Sequence, residues 1–184
     1  IYVAQGGATP ITNYHGLAAE RQTWALDLTR LGPWGLRASG IYPGDPAAYE
    51  AFGDTVLSPV EARVIEAVDS LPDQHPPETL PGHAAGNHVW LRSDSVYILL
   101  AHLMEGSVRV ERGDSVPAGE PIARVGNTGN TQEPHLHLHA VTAADDAPSP
   151  AVPDSVPARA EPVPLTLGRG VPVRNAVLEG VGRG

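Results

Sequence analysis

The sequence predicts an all-β fold: a compact antiparallel β-sheet or sandwich of short strands joined by long loops rich in proline and glycine. The chain of 184 residues contains 20 glycines and 19 prolines. This is too many for a helix bundle, because proline removes a helical hydrogen-bond donor and both residues favour turns. Several short apolar runs alternate with the period of two that is typical of strands. Turn-forming residues separate these runs at short intervals, as in sandwiches and barrels.

The first half of the chain contains three predicted strands. Residues 24–28 alternate, with Asp27 on the face opposite to the larger apolar side chains. Residues 32–54 are punctuated by glycine and proline and predict mostly loop. Strands follow at 55–57 and 62–68. The periodicity of the second also fits a helix, but its β-branched residues and proline-rich surroundings favour a strand.

The second half is predicted to contain more strands and two long loops. The predicted strands are 88–92, 96–102, 107–111, 121–125, 135–139 and one or two strands within 162–174. Residues 70–86 and 141–161 are rich in proline and are predicted to be loops. We expect a single domain over 1–184, with its core at about 13–140 and with a loop and terminal strands in 141–184. Because the chain begins at Ile1 and not at Met, we expect it to be a trimmed or processed part of a longer product.

Composition excludes several classes of site and partner. The chain has no cysteine, so a metal site must use His, Asp and Glu. Its formal net charge is −9 and it has no basic run, which argues against nucleic-acid binding. No stretch approaches the ~18 apolar residues of a membrane span.

The histidines are the residues most indicative of chemistry. His135, His137 and His139 alternate along a predicted strand and therefore share one face. Neighbouring imidazoles can bind zinc, or one can bind while the next transfers protons. Taken alone, the same pattern also fits a polar sheet surface.

Three further residues are ambiguous when each is considered singly. His102 ends an apolar strand, where a histidine is usually structural. His15 comes early in the chain, and Asp27 lies on a strand where Thr or Ser would serve equally well. The helical His-Glu-x-x-His motif of many zinc proteases is absent.

A family resemblance gives these residues a common interpretation. Residues 97–139 contain Ala-His-Leu, Gly-Asp-x-Val-x-x-Gly-x-x-Ile, Gly-x-Thr-Gly and Pro-His-Leu-His in that order. This block resembles the core of the lysostaphin/LytM zinc peptidases, metallopeptidase family 23. Residues 53–68 (GDTVLSPVEARVIEAV) and 86–92 (GNHVWLR) are similar to upstream segments of the same family, so the resemblance covers roughly 13–140.

The resemblance implies a role for five residues. His137 is implied to be a zinc ligand, and His135 and His102 are implied to be the catalytic histidines. The remaining two ligands should be a histidine and an aspartate upstream, for which His15 and Asp27 are the candidates. On this interpretation Zn²⁺ activates water, His135 acts as the general base, and His102 orients the base or stabilises the oxyanion.

The chain departs from the family pattern at two places. In most members the two upstream ligands are four residues apart, whereas His15 and Asp27 are twelve apart, as in a subset with a longer insertion. Many members have an acidic residue where this chain has His139. In a rival interpretation, His15 is a surface loop residue and His139, on the same strand face as His137, completes the site. The histidines without a family counterpart are interpreted as loop or surface residues: His75, His83 and His88.

The implied activity is hydrolysis of peptide bonds in bacterial peptidoglycan, outside the cytoplasm. Biotinyl and lipoyl carrier domains have a similar hairpin but need a lysine, and this chain has none. Two alternatives stay open: a non-catalytic member that activates other wall hydrolases, and a peptidase acting on a soluble peptide. The bond cleaved and the oligomeric state are not predicted.

Overall fold

The computed structural model describes residues 1–142, 160–167 and 170–178. Ten strands are present in these residues: β1 (Tyr2–Gln5), β2 (Leu26–Thr29), β3 (Thr55–Leu57), β4 (Ala62–Val68), β5 (Asn87–Ser93), β6 (Val96–Leu103), β7 (Ser115–Val116), β8 (Pro121–Arg124), β9 (Leu136–Thr142) and β10 (Glu161–Val163). One short α-helix, α1 (His15–Ala18), and four three-residue 3₁₀ segments complete the regular structure of the described part.

The strands form one large open sheet and one small one. The large sheet has the order β1-β2-β9-β6-β5-β4-β7, with β10 also paired to β9. The small sheet consists of β3 and β8. Every pair is antiparallel, which confirms the predicted antiparallel β-fold.

The hydrophobic core lies between one face of the large sheet and the small sheet. Alternation places Leu26 and Leu28 of β2 in this core beside Leu138 of β9, while the small sheet contributes Val56 and Ile122. All five side chains are 9% exposed or less. Because burial of apolar surface is the main driving force of folding, this layer fixes the register of the central strands.

The opposite face of the central strands carries polar side chains. In the antiparallel pairing, Asp27 of β2 lies directly opposite His137 of β9, and His137 lies opposite Ala101 of β6. Residues paired in this way project to the same face of a sheet. Because Leu26 and Leu28 point into the core, Asp27 between them points to the opposite face. There it meets His137, which is 110 residues later in the sequence.

Two strand predictions are wrong or only partly correct. Residues 107–111 form no strand; the amides of Val108 and Arg109 donate instead to Asp69 Oδ2 and to the carbonyl of Ile122. Among the described residues of 162–174, only 162 and 163 belong to a strand, β10; Pro164 and Pro172 beyond it lack the amide that a strand ladder needs. Most of the predicted loop at 141–161, namely 143–159, lies outside the described residues.

The remaining strand predictions are confirmed with small changes of boundary. Residues 62–68 are β4 and not a helix. The strand predicted at 24–28 is observed at Leu26–Thr29. His135 precedes β9 by one residue, so only His137 and His139 of the predicted trio are on the strand. Within the described residues, no helix has the length and apolar character needed to cross a membrane.

Candidate metal centre and active site

Asp27 and His137 form the centre of a buried polar cluster. Asp27 Oδ1 lies 2.9 Å from His137 Nδ1, and the two residues are 6% and 5% exposed. Their backbones are held by the β2–β9 ladder, so their separation is set by the sheet and not by a flexible loop. A buried carboxylate needs such partners, because its charge is costly to remove from water.

His15 reaches the other oxygen of the same carboxylate. His15 is the first residue of α1 and is 8% exposed, with its Nε2 2.8 Å from Asp27 Oδ2. Its ring centroid is 4.8 Å from that of His137. The structure therefore brings together the three residues that the sequence singles out as ligands, despite the long segment between His15 and Asp27.

Asn13 closes this segment and was not identified from the sequence. Its Nδ2 lies 3.0 Å from the carbonyl oxygen of Thr23 and 2.9 Å from that of Ala25, and its Oδ1 accepts from the amide of His15. Asn13 is 2% exposed. One buried side-chain amide thus joins the start and the end of the segment between His15 and Asp27. The sequence indicated this only by an asparagine two residues before His15 in a turn-rich stretch.

His135 lies on the same side of the cluster. Its Nε2 is 3.4 Å from Asp27 Oδ1. Its Nδ1 lies 2.9 Å from the carbonyl oxygen of Glu133 and 3.2 Å from Thr131 Oγ1. Since a carbonyl oxygen only accepts, Nδ1 carries a proton, and Nε2 faces the Asp27 carboxylate of the cluster.

His102 stands beside His135 with a ring-centroid separation of 4.8 Å. Its Nδ1 lies 2.8 Å from the carbonyl oxygen of Thr128, so by the same reasoning its Nε2 is an acceptor. The backbone of His102 has a φ of +61°, in the left-handed region that bulky residues rarely adopt. Residues held in such conformations cluster at functional sites.

The loop that holds His102 is fixed by close backbone contacts. A Cβ added to Gly86, where φ is +61°, would lie 2.2 Å from the carbonyl oxygen of Thr128. A Cβ added to Gly129 would lie 2.4 Å from the amide nitrogen of Gly86. Gly86 and Gly129, of which the second ends the Gly-x-Thr-Gly motif, therefore allow the close approach that positions Thr128 against His102.

The cluster perturbs the pKa values of its members in opposite directions. Burial by itself would raise the pKa of Asp27, but the imidazoles of His135, His137 and His15 hold it well below its usual range. Burial opposes protonation of His135, yet the Asp27 carboxylate raises the pKa of this histidine. Burial lowers the pKa of His137, and it lowers that of His102 well below its usual range.

The donor atoms fit a zinc ion. One nitrogen each of His15 and His137 and one oxygen of Asp27 lie within 4.8 Å of one another, and so do nitrogens of His102, His135 and His137. Zinc prefers imidazole nitrogen, thiolate sulfur and carboxylate oxygen, and two imidazoles with one carboxylate are a catalytic ligand set. The chain has no cysteine, so the nitrogen–oxygen set is the one available to it.

The other histidines are placed differently. His139 belongs to neither group of potential ligands found in the described residues; its Nδ1 lies 3.0 Å from His137 Nε2. His75 and His83 are exposed, as predicted for loop or surface residues. The prediction is wrong for His88, which lies on β5, is 8% exposed and has Nε2 3.5 Å from Glu66 Oε2. It is buried because β5 is an inner strand of the large sheet.

Two cavities adjoin the cluster. The first, of about 600 Å³, is lined by His15, Asp27, His102 and His135. The second, of about 460 Å³, lies against His139 and is lined in addition by Ala19, Arg21, Gln22 and residues 82–86. The first cavity gives the polar cluster access to a ligand.

Comparison with known families decides the assignment. The profile of peptidase family M23 matches residues 47–148, more than half of the chain. The chain belongs to peptidase family M23. It is an M23 metallopeptidase with a His/Asp cluster that fits a metal ion. His15 and Asp27 lie outside the matched residues, so their membership of the cluster rests on the geometry described above.

Solved M23 structures show a distant likeness to this chain. A mutant catalytic domain of EnpA, a prophage-encoded M23 protein from Enterococcus faecalis, is 18% identical with a TM-score of 0.41, covering 65% of this chain and 89% of that domain. The catalytic domain of lysostaphin from Staphylococcus simulans is 23% identical with a TM-score of 0.40, covering 58% and 78%. Complete lysostaphin is 21% identical with a TM-score of 0.41, covering 59% and 43%. No curated protein matches the chain. The M23 assignment rests on the profile match.

Proposed function

We propose that this chain is a zinc-dependent endopeptidase that hydrolyses peptide bonds of bacterial peptidoglycan. The observation that carries the proposal is the buried donor set of His15, Asp27 and His137, whose ligand atoms lie within 4.8 Å of one another. Two imidazoles and one carboxylate leave the fourth position of a tetrahedral zinc site open to the reaction. The ligands come from α1, β2 and β9, so the fold itself assembles the set.

His135 is the proposed general base. When bound, zinc supplies a Lewis acid that acidifies water and polarises the scissile carbonyl. His135 donates through Nδ1 to the carbonyl of Glu133, so in the neutral ring Nε2 is the nitrogen that takes the proton of the attacking water, and the Asp27 carboxylate stabilises the resulting imidazolium. This nitrogen faces the proposed ligands, 3.4 Å from Asp27 Oδ1. The same proton can then pass to the leaving amine.

His102 is the proposed second catalytic histidine. Its Nδ1–H donates to the carbonyl of Thr128, and burial lowers its pKa well below the usual range. A neutral ring in this tautomer presents an acceptor and not a donor at Nε2. This supports a role for His102 in orienting the water and His135, and it disfavours the alternative role as an oxyanion donor.

The family and the first cavity support a peptide substrate. M23 peptidases characteristically act on the cell wall, and the cavity of about 600 Å³ opens on the proposed catalytic residues. We therefore place the protein outside the cytoplasm of a bacterium, as a single peptidase domain over 1–184 whose core lies at about 13–140. Peptidoglycan is the proposed substrate within this class.

Digestion of purified peptidoglycan tests the proposal. We expect the zinc-loaded protein to release soluble fragments whose masses show cleavage of peptide bonds, and we expect chelator to abolish the release. His135→Ala is the matched inactive control. Release of fragments with intact peptide cross-links would contradict a peptidase acting on peptidoglycan.

The two alternatives give different results in the same assay. A non-catalytic activator would release nothing alone but would accelerate an added wall hydrolase; the retained histidines of the cluster argue against it. A peptidase for a soluble substrate would leave peptidoglycan intact and cut glycine-rich peptides in a chelator-sensitive way.

A further inference from the structure

His139 contacts the proposed zinc ligand His137 from the side away from the carboxylate. His137 Nδ1 faces Asp27 Oδ1 at 2.9 Å, while its Nε2 lies 3.0 Å from His139 Nδ1. Both histidines are 5% exposed. The two nitrogens of the His137 ring are therefore divided between two partners, one on each side.

The position of one proton follows from this arrangement. A neutral imidazole carries its proton on one nitrogen and a lone pair on the other. Without a metal, the Asp27 carboxylate accepts the Nδ1–H of His137. A ligand that presents the Nδ1 lone pair to a metal must instead carry its proton on Nε2, and that proton needs an acceptor in a buried site. His139 Nδ1 is at hydrogen-bond distance to be that acceptor, with the proton of its own ring on Nε2.

The ring of His139 is held in place by its surroundings. It lies on β9 opposite Leu99 of β6. The ring of Trp90 meets it edge-on, with centroids 5.6 Å apart and planes at 86°. Trp90 and Leu99 belong to a small separate hydrophobic cluster. An acceptor with so little freedom fixes the orientation of its donor more firmly than water does.

We propose that His139 is a positioning residue, which accepts the Nε2–H of His137 and so fixes the tautomer and ring orientation in which His137 Nδ1 binds zinc. The inference rests on the zinc site proposed above. It replaces the rival interpretation of His139 as a ligand: a residue two positions along a strand lies about 6.6–6.8 Å away. In the structure its ring nitrogen contacts His137 itself.

Zinc affinity, measured by competition with a chelating dye, tests the role without reference to activity. His139→Leu keeps a side chain of similar size but has no acceptor, and loss of an outer-shell partner typically weakens metal binding about 10–100-fold. His139→Gln retains an oxygen acceptor, and we expect its affinity to be close to that of the wild type. The cobalt-substituted proteins should show the same order: an altered visible spectrum for His139→Leu and a wild-type spectrum for His139→Gln.

His88→Leu is the matched control. His88 is likewise a buried histidine of the large sheet, but it bonds the carbonyl of Gly86 and Glu66, not His137. We expect His88→Leu to bind zinc as the wild type does, and circular dichroism in the presence of chelator confirms that each variant is folded. If His139→Leu is unfolded, the comparison of His139→Gln with the wild type decides, because a residue acting as a ligand would not be replaced by an amide oxygen.

The outcomes separate this inference from the proposed function. Wild-type affinity in folded His139→Leu overturns the positioning role, and loss of zinc from His139→Gln equal to that of His137→Ala shows that His139 is a ligand. If the wild type itself binds no zinc, the proposed function fails and takes this inference with it. Weak binding by His139→Leu with rescue by His139→Gln supports it.

Discussion

At the scale of single residues, Asp27 organises the cluster. Its two oxygens face His15 at 2.8 Å and His137 at 2.9 Å, and His135 lies 3.4 Å away. The imidazoles keep its pKa well below the usual range although burial acts in the other direction. The lowered pKa keeps Asp27 ionised, which is the form that binds a metal, since ligands must be deprotonated.

Single substitutions should separate metal binding from chemistry. We expect His137→Ala to lose most of its zinc, as measured by elemental analysis. We expect His135→Ala and His102→Ala to retain zinc and to lose activity by about 10²–10⁴-fold, the contribution typical of general acid–base groups. His75→Ala is the control, because His75 is exposed and its ring bonds only the carbonyl of Gly44 among the described contacts. Loss of metal from His135→Ala would mean that base and ligand are interchanged.

At the scale of elements, the conformation of the segment between His15 and Asp27 depends on Asn13. The segment from Gly16 to Leu26 has eleven residues, and it returns the chain to the start of β2. Asn13 Nδ2 holds the carbonyls of Thr23 and Ala25 just before Asp27. Buried side-chain hydrogen bonds of this kind stabilise a turn that would otherwise leave its carbonyls unpaired.

Asn13→Asp should weaken the contact between Asn13 and residues 23–25 while changing the volume of the side chain very little. The variant loses the donor and points an oxygen at carbonyl oxygens, so we expect a decrease of about 1–3 kcal/mol in the free energy of unfolding, with weaker zinc binding. Urea denaturation and dye competition measure the two effects. Asn175→Asp is the matched control, because Asn175 is exposed and its Oδ1 accepts from the hydroxyl of Tyr2, which an aspartate can still do. Equal effects of the two substitutions would contradict the role of Asn13.

The contact between the loops at Gly86 and Gly129 is the second element on which the site depends. It places the carbonyl of Thr128 2.8 Å from His102 Nδ1. Thr128 Oγ1 also accepts from the amide of Asn87 and donates to the carbonyl of Leu103, so the loop is tied to both β5 and β6. A change in the distance between the two loops would therefore shift the Thr128 carbonyl that bonds the proposed catalytic residue His102.

Gly86→Ala should disrupt this contact. The left-handed backbone costs an alanine about 1–2 kcal/mol, and overpacking against Thr128 adds about 1–3 kcal/mol. Gly53→Ala is the matched control: Gly53 has a φ of +78° but no atom within 4 Å of an added Cβ. We expect Gly53→Ala to show the backbone cost alone and full activity, and Gly86→Ala to show a larger loss of stability with reduced kcat. Denaturation and steady-state kinetics measure the two; equal losses of stability would show that the close contact is unimportant.

At the scale of the whole molecule, the central sheet was predictable because its strands alternate strongly. Residues 62–68 carry enough β-branched side chains to outweigh the helical alternative, and residues 96–102 form a continuous apolar run. Alternation in β2 also gave the correct face for Asp27. The five site residues of the prediction are brought together in the structure, and the motifs of the downstream block were the reason they could be selected.

Long-range polar contacts were not predictable. Nothing in the sequence around Asn13 shows that its amide meets Thr23 and Ala25, because such bonds depend on where the chain returns. The burial of His88 was missed for a similar reason, since one histidine in a strand does not reveal which face is covered. Residues 107–111 alternate like a strand, but Asp69 takes the amide of Val108 that a neighbouring strand would have bonded.

Zinc should stabilise the folded protein as a whole. The proposed ligands come from α1, β2 and β9, which meet only in the native state, so the ion binds the folded chain in preference to the unfolded one. At a free zinc concentration 100-fold above the dissociation constant, we expect about 2.7 kcal/mol of stabilisation. Thermal denaturation with zinc and with chelator measures it. His137→Ala should show little difference between the two conditions, and a chelator-insensitive wild type would argue against the site.

The hydrogen bonds of Asn13, which join the two ends of the segment between His15 and Asp27, have a consequence for engineering. Because residues 13 and 25 are already joined, the stretch between His15 and Trp24 can change in length at little entropic cost, about 0.6 kcal/mol for each doubling of a loop. Ala19, Arg21 and Gln22 of this stretch line the second cavity, beside His139. Other sequences could therefore be grafted at residues 19–22, which follow α1, to reshape one wall of that cavity while His15 and Asp27 stay in register.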